Sequence, residues 1–137
     1  MRRTKRGIIL ITVAILLIGA IGHGIYRYYQ LGGMNVPIII STQYSNEPAN
    51  IEVYIDNRLI FKDKDLLSLY TGIDTHTSFG IHQLKVIVDG TTFTNMFFVF
   101  PVCYIYIEIQ QNNKYREDNS DEYWVWIDFS MYPTAIL

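Results

Sequence analysis

Gly80-Ile-His-Gln-Leu-Lys-Val-Ile-Val-Asp-Gly90 is the stretch that decides the fold class. Its residues alternate, with His82, Leu84, Val86 and Val88 on one face and Gln83, Lys85 and Asp89 on the other. A period of two, rich in β-branched residues, predicts a strand buried on one side. Asp89-Gly90 then supplies a hairpin signal, because glycine accepts the positive φ that a type I′ turn demands. Residues 91–100 are the return strand. They carry apolar side chains on both faces (Phe93, Phe97 and Val99 against Met96, Phe98 and Phe100), which predicts either a central strand covered twice or a bulged one.

The same period extends outward in both directions. Ile51, Val53 and Ile55 alternate with Glu52, Tyr54 and Asp56, and Asp56-Asn57 turns the chain into a second strand at 59–62. Residues 36–42 are β-branched and open on Pro37, where a missing N–H does least harm. The charged segment 63–74 is expected at the surface, with a short strand around 66–70. Beyond Pro101, strands at 102–110 and 122–131 flank a polar loop at 111–121. About seven short strands and no helix within residues 36–137 predict an antiparallel β-sandwich.

The run IEVYIDNRLIFKD (51–63), followed by GIHQLKVIVDG (80–90) and an aromatic return strand, resembles small bacterial immunoglobulin-like and PEGA-like envelope domains. The matching residues are Asp56, Asn57, Gly80, His82, Leu84 and Val86, and the likeness covers about residues 50–100. The chain departs from the PEGA pattern in its long 63–79 segment and in the two strands after 101. The resemblance implies a non-enzymatic surface or scaffold module, and no catalytic residue carries over.

Ahead of this domain lies a different sequence. Residues 7–26, GIILITVAILLIGAIGHGIY, contain no Asp, Glu, Lys or Arg, and Arg2, Arg3, Lys5 and Arg6 precede them. About 20 apolar residues suffice for a helix to cross the hydrocarbon core. The cation bias orients it with residues 1–6 in the cytoplasm. The transmembrane helix is placed at 7–29, with Tyr26, Tyr28 and Tyr29 in the outer aromatic belt, His23 near the outer interface and a short linker at 30–35. A cleaved signal peptide is the alternative, with Ala20-Ile-Gly22 or Gly22-His-Gly24 as its small-x-small site. On this reading the protein meets membrane lipid through the helix and leaves residues 36–137 extracytoplasmic, in the periplasm or at the cell surface.

Residues 1–30 hold five cations and no acid, whereas the remainder sets six cations against all 13 acids, a net of −7. Such an acidic domain argues against nucleic acid as a partner and against anionic lipid headgroups. The lone Cys103 cannot form an internal disulfide, so the core alone must hold the domain, which suits a bacterial envelope.

One constellation points to binding. Cys103, Ile105, Ile107 and Ile109 form one side of the 102–110 strand, leaving Tyr104, Tyr106 and Glu108 on the other. In the last strand Trp124 and Trp126 lie with Glu122 and Asp128, opposite Tyr123, Val125, Ile127 and Phe129. Hairpin pairing would gather Tyr104, Tyr106, Trp124 and Trp126 on one outer face rimmed by carboxylates. That face reads as cross-strand packing, as an anchor for another envelope protein, or as a platform on which sugar rings stack. His76, His82 and Asp74 are of zinc-ligating type, but His82 falls on an apolar face and reads as a bonded core histidine. Asp118, Asp121 and Glu122 lack the EF-hand spacing for calcium. No nucleophile elbow, HExxH, P-loop or Cys-His pattern is present, so no catalytic residue, cofactor or metal is assigned.

Overall fold

In the computed structural model, the described residues are 2–45, 47–111 and 123–131. The loop expected at 111–121 and the acidic residues Glu117, Asp118, Asp121 and Glu122 fall outside them, apart from Gln111. The chain begins with α1 (Arg2–Gln30) and continues in eight strands: β1 (Val36–Ser41), β2 (Ala49–Ile55), β3 (Arg58–Leu66), β4 (Thr71–Thr75), β5 (Gly80–Val88), β6 (Thr91–Val99), β7 (Tyr104–Gln111) and β8 (Tyr123–Ser130). The segment Lys5–Gln30 is long and apolar enough to cross a membrane, and Ile8, Leu10, Leu16 and Ile18 are all more than 60% exposed. A helix that is apolar all round has nothing in water to cover it.

The strands form two four-stranded sheets, ordered β4-β1-β7-β8 and β3-β2-β5-β6. Alternation in the sequence becomes burial in the sandwich. Ile38, Ile40, Ile105, Ile107 and Ile109 from one sheet meet Ile51, Val53, Ile55, Leu84, Val86 and Val88 from the other, all essentially inaccessible. Phe97 of β6 stacks on Phe129 of β8 with centroids 5.5 Å apart, closing the sandwich along one side.

Several expectations are corrected here. There are eight strands, and the sandwich is not purely antiparallel, since β1 pairs with β7 in parallel. No strand spans 66–70: β3 runs on to Leu66, and the chain then leaves one sheet to start β4 at the edge of the other. Thr42 holds this crossing, its N and Oγ1 donating to Ser68 O (3.0 and 2.9 Å) while Ser68 N donates back to Oγ1 (2.8 Å). β6 is neither central nor bulged. It is an edge strand in continuous register with β5, and its outward Met96 and Phe98 are exposed.

The linker expected at 30–35 has a defined structure at its start. Gly33 N donates to Tyr28 O (3.1 Å) and Gly32 N to Tyr29 O (3.0 Å), with both glycines at positive φ. This pair of bonds is a Schellman cap, which ends α1 in a defined direction. Gly24 packs directly on Pro101, where an added Cβ would lie 2.6 Å from Cγ.

Candidate binding face

The β7–β8 register places Tyr104 opposite Ser130, Tyr106 opposite Asp128, Glu108 opposite Trp126 and Gln110 opposite Trp124. All four aromatic residues lie on the outer face, because Ile105, Ile107 and Ile109 of β7 occupy the inner one. They do not form one cluster. Tyr106 and Trp126 are neighbours that line one groove, Trp124 lies beyond Trp126, and Tyr104 stands apart at the end near α1.

Tyr104, expected on the open face, is instead buried at 5% exposure. Its hydroxyl accepts from Arg27 Nη2 of α1 at 3.1 Å. The end of the helix therefore covers this part of the sheet, which strand alternation alone cannot reveal. Tyr106 is half-buried between Ile39 of β1 and Asp128 of β8.

Trp124 and Trp126 are open, at 65% and 71% exposure. Trp126 borders a groove of about 200 Å³, open to solvent, whose walls include Ser41, Gln43, Tyr70, Tyr106, Glu108 and Asp128. A second hollow lies between Trp124 and Trp126 over Glu108 and Gln110. Tyr70 and Gln43 come from loops outside the β7–β8 hairpin, and Tyr70 Oη donates to Gln43 Oε1 at 3.3 Å. Only the β4-β1-β7-β8 strand order brings them here. Flat aromatic surfaces beside two carboxylates and an amide can stack an apolar or sugar ring and accept hydrogen bonds at its edge. β8 is also an edge strand: among the described residues none pairs with its outer side.

A second cluster joins residues that were separate in the sequence reading. His82 is buried, its Nδ1 2.5 Å from Asp56 Oδ2 and its Nε2 2.8 Å from Ser78 O. Ser78 Oγ lies 3.5 Å from the same Nε2, so a serine, a histidine and an aspartate are aligned. The alignment is not that of a nucleophile and its base, because the carbonyl of Ser78 occupies Nε2 and leaves no lone pair for the hydroxyl. The cluster instead clamps the β4–β5 connection onto the β2–β3 turn. Asp56 and Asn57 both sit at positive φ there, and Asp56 Oδ1 also accepts from Gln83 N at 2.9 Å. These bonds, the backbone one first and the His82 one second, hold the Asp56 carboxyl below the usual carboxylate range.

His76, weighed with His82 and Asp74 for zinc, faces Gly33 O at 3.1 Å instead. Among the described residues no three His, Cys, Asp or Glu side chains converge as a metal site would require. Cys103 is buried just ahead of β7, and burial pushes its thiol up to about 11.

Neither family models nor curated proteins give any match to the sequence.

Proposed function

We propose that this protein is a single-pass membrane module. Its basic N-terminus would be cytoplasmic, α1 would anchor it, and its extracytoplasmic sandwich would bind another envelope protein as an accessory or scaffold subunit. The observation that carries this reading is the exposure of both tryptophans, side by side on an edge strand. Large open aromatics are uncommon on a monomer's surface and are the usual anchors of binding hot spots. Among the described residues β8 is an edge strand, and a partner's strand can pair with the main chain of such an edge. No catalytic step belongs to this reading.

A photo-crosslinking residue at position 126, in membranes of the native host, tests it. Adducts of discrete mass are expected there and not from position 92, at the β5–β6 turn, and Trp124→Ala should abolish them. Equal labelling at 92 and 126, or adducts indifferent to Trp124→Ala, would refute the interface.

The groove beside Trp126 supports a second reading, a carbohydrate-binding module, since Tyr70, Tyr106 and Trp126 share it with Glu108 and Asp128. Titration with envelope oligosaccharides separates the two. A shift in tryptophan emission without crosslinked protein favours the glycan.

A further inference from the structure

A second apolar surface lies on the other sheet. Ile81 of β5 is directly opposite Phe98 of β6, and Gln83 is opposite Met96. Ile81, Phe98 and Met96 are 71%, 61% and 60% exposed, and Phe79 and Phe100 continue the patch toward α1. We propose that this end of the β5–β6 hairpin seats on the lipid bilayer, with these five side chains in the outer headgroup–acyl boundary. The inference rests on the reading of α1 as a membrane anchor.

Three observations make lipid the occupant. The first is depth. A helix rising 1.5 Å per residue needs about 20 residues to cross some 30 Å of hydrocarbon. Counted from Gly7, the outer boundary falls near Tyr26, and Gly24 is then about 3 Å inside it. Pro101 packs on Gly24, so the Phe100-Pro101 corner already reaches that level.

The second is rigidity. The Phe79 ring meets Phe100 edge-on at 5.4 Å and Tyr28 of α1 at 6.1 Å. Arg27 is bonded to Tyr104, Gly33 to His76, and the Schellman cap sets the exit angle. The patch is therefore held beside the helix at the depth of its aromatic residues.

The third is charge. The outward positions of β5 and β6 are Ile81, Gln83, Lys85 and Ile87, and Thr92, Thr94, Met96 and Phe98, with no carboxylate among them. The acids that border this face are partnered, Glu52 opposite Ile87 by Lys62 and Asp56 beside Gln83 by His82, so the net charge of −7 after residue 30 does not set the character of the face. An apolar face bounded by a cation is the composition of surfaces that lie 5–10 Å into the interface. The tryptophan pair faces away, about 14 Å (Trp126) and about 20 Å (Trp124) farther along β7 than Tyr104, so seating on lipid leaves it open for a partner.

Depth-dependent quenching in proteoliposomes tests the inference, using full-length chain with Trp124→Phe and Trp126→Phe as background. Single tryptophans are then placed by Phe98→Trp, by Thr92→Trp at the far end of the same strand, and by Leu16→Trp within α1. Phosphatidylcholine carrying a shallow nitroxide should quench and blue-shift Phe98→Trp and leave Thr92→Trp bright, while a deep nitroxide quenches Leu16→Trp. A quenched Leu16→Trp with an unquenched Phe98→Trp would overturn the seating and leave the anchor standing. An unquenched Leu16→Trp would overturn the anchor, and the seating with it. Far-ultraviolet circular dichroism of each variant confirms that the sandwich is intact.

Discussion

Arg27, in the last turn of α1, donates from Nη2 to the hydroxyl of Tyr104 at the start of β7, 3.1 Å away. The bond joins the helix to the sheet that carries the candidate binding face. It also divides that face, since Tyr104 becomes part of the helix–domain joint while Trp124 and Trp126 remain open. Four expected outcomes follow from the geometry of joint, face and core.

Iodide should quench most of the tryptophan emission of the full-length protein, and the emission maximum should lie to the red. Both signals come from β8, because Trp124 and Trp126 are the only tryptophans. Trp126→Ala should alter folding stability by no more than about 0.5 kcal/mol, the ordinary range for exposed positions. A blue, unquenched spectrum would show the face to be covered.

Gly24→Ala should disturb the joint, whereas Gly22→Ala should not. A Cβ at 24 would lie 2.6 Å from Pro101 Cγ, on a ring that cannot swing aside, and one at 22 meets nothing within 4 Å. Limited proteolysis in nanodiscs reads the difference, with faster cleavage at 30–34 in Gly24→Ala. Equal rates would mean that helix and sandwich are not locked together there.

Acid should loosen the Asp56 clamp. The folded-state pKa of Asp56 is depressed, so its stabilisation is complete above the unfolded value, near 4. It is lost as pH falls through the lower folded value. The side chain is half exposed, so solvent screening keeps the effect small. Thermal melts of the wild type should decline below about pH 4, whereas Asp56→Asn should melt lower at neutral pH and decline less on acidification. Parallel acid limbs would remove Asp56 from this role.

Cys103 should resist alkylation at neutral pH until the sandwich unfolds. Burial raises its thiol to about 11, and the thiolate is the reactive form. Labelling by iodoacetamide across a denaturant series should therefore coincide with the loss of β-structure. Reaction well before the transition would mean that β7 opens locally.

The β-rich class, the hairpin turns at Asp56-Asn57 and Asp89-Gly90 and the inward faces of β2, β5 and β7 were readable because each depends on neighbours a few residues apart. Alternation sets the face of a strand, and turn residues set its reversal. The edge position of β6 was not readable. Apolar residues on both sides of 91–100 suggest double burial, yet Met96 and Phe98 face outward and are exposed. The candidate face was half readable: parity put Tyr104, Tyr106, Trp124 and Trp126 on one side, but not which of them would be covered.

From the chain alone came an apolar helix, a period-two domain and an aromatic outer face, because these are written in local spacing and composition. The parallel β1–β7 pairing, the burial of Tyr104 under Arg27, the His82–Asp56 clamp and the Gly24–Pro101 contact were decided only by tertiary structure. Each joins segments at least 26 residues apart, and contacts between distant segments depend on how whole sheets and the helix pack, which no local pattern encodes.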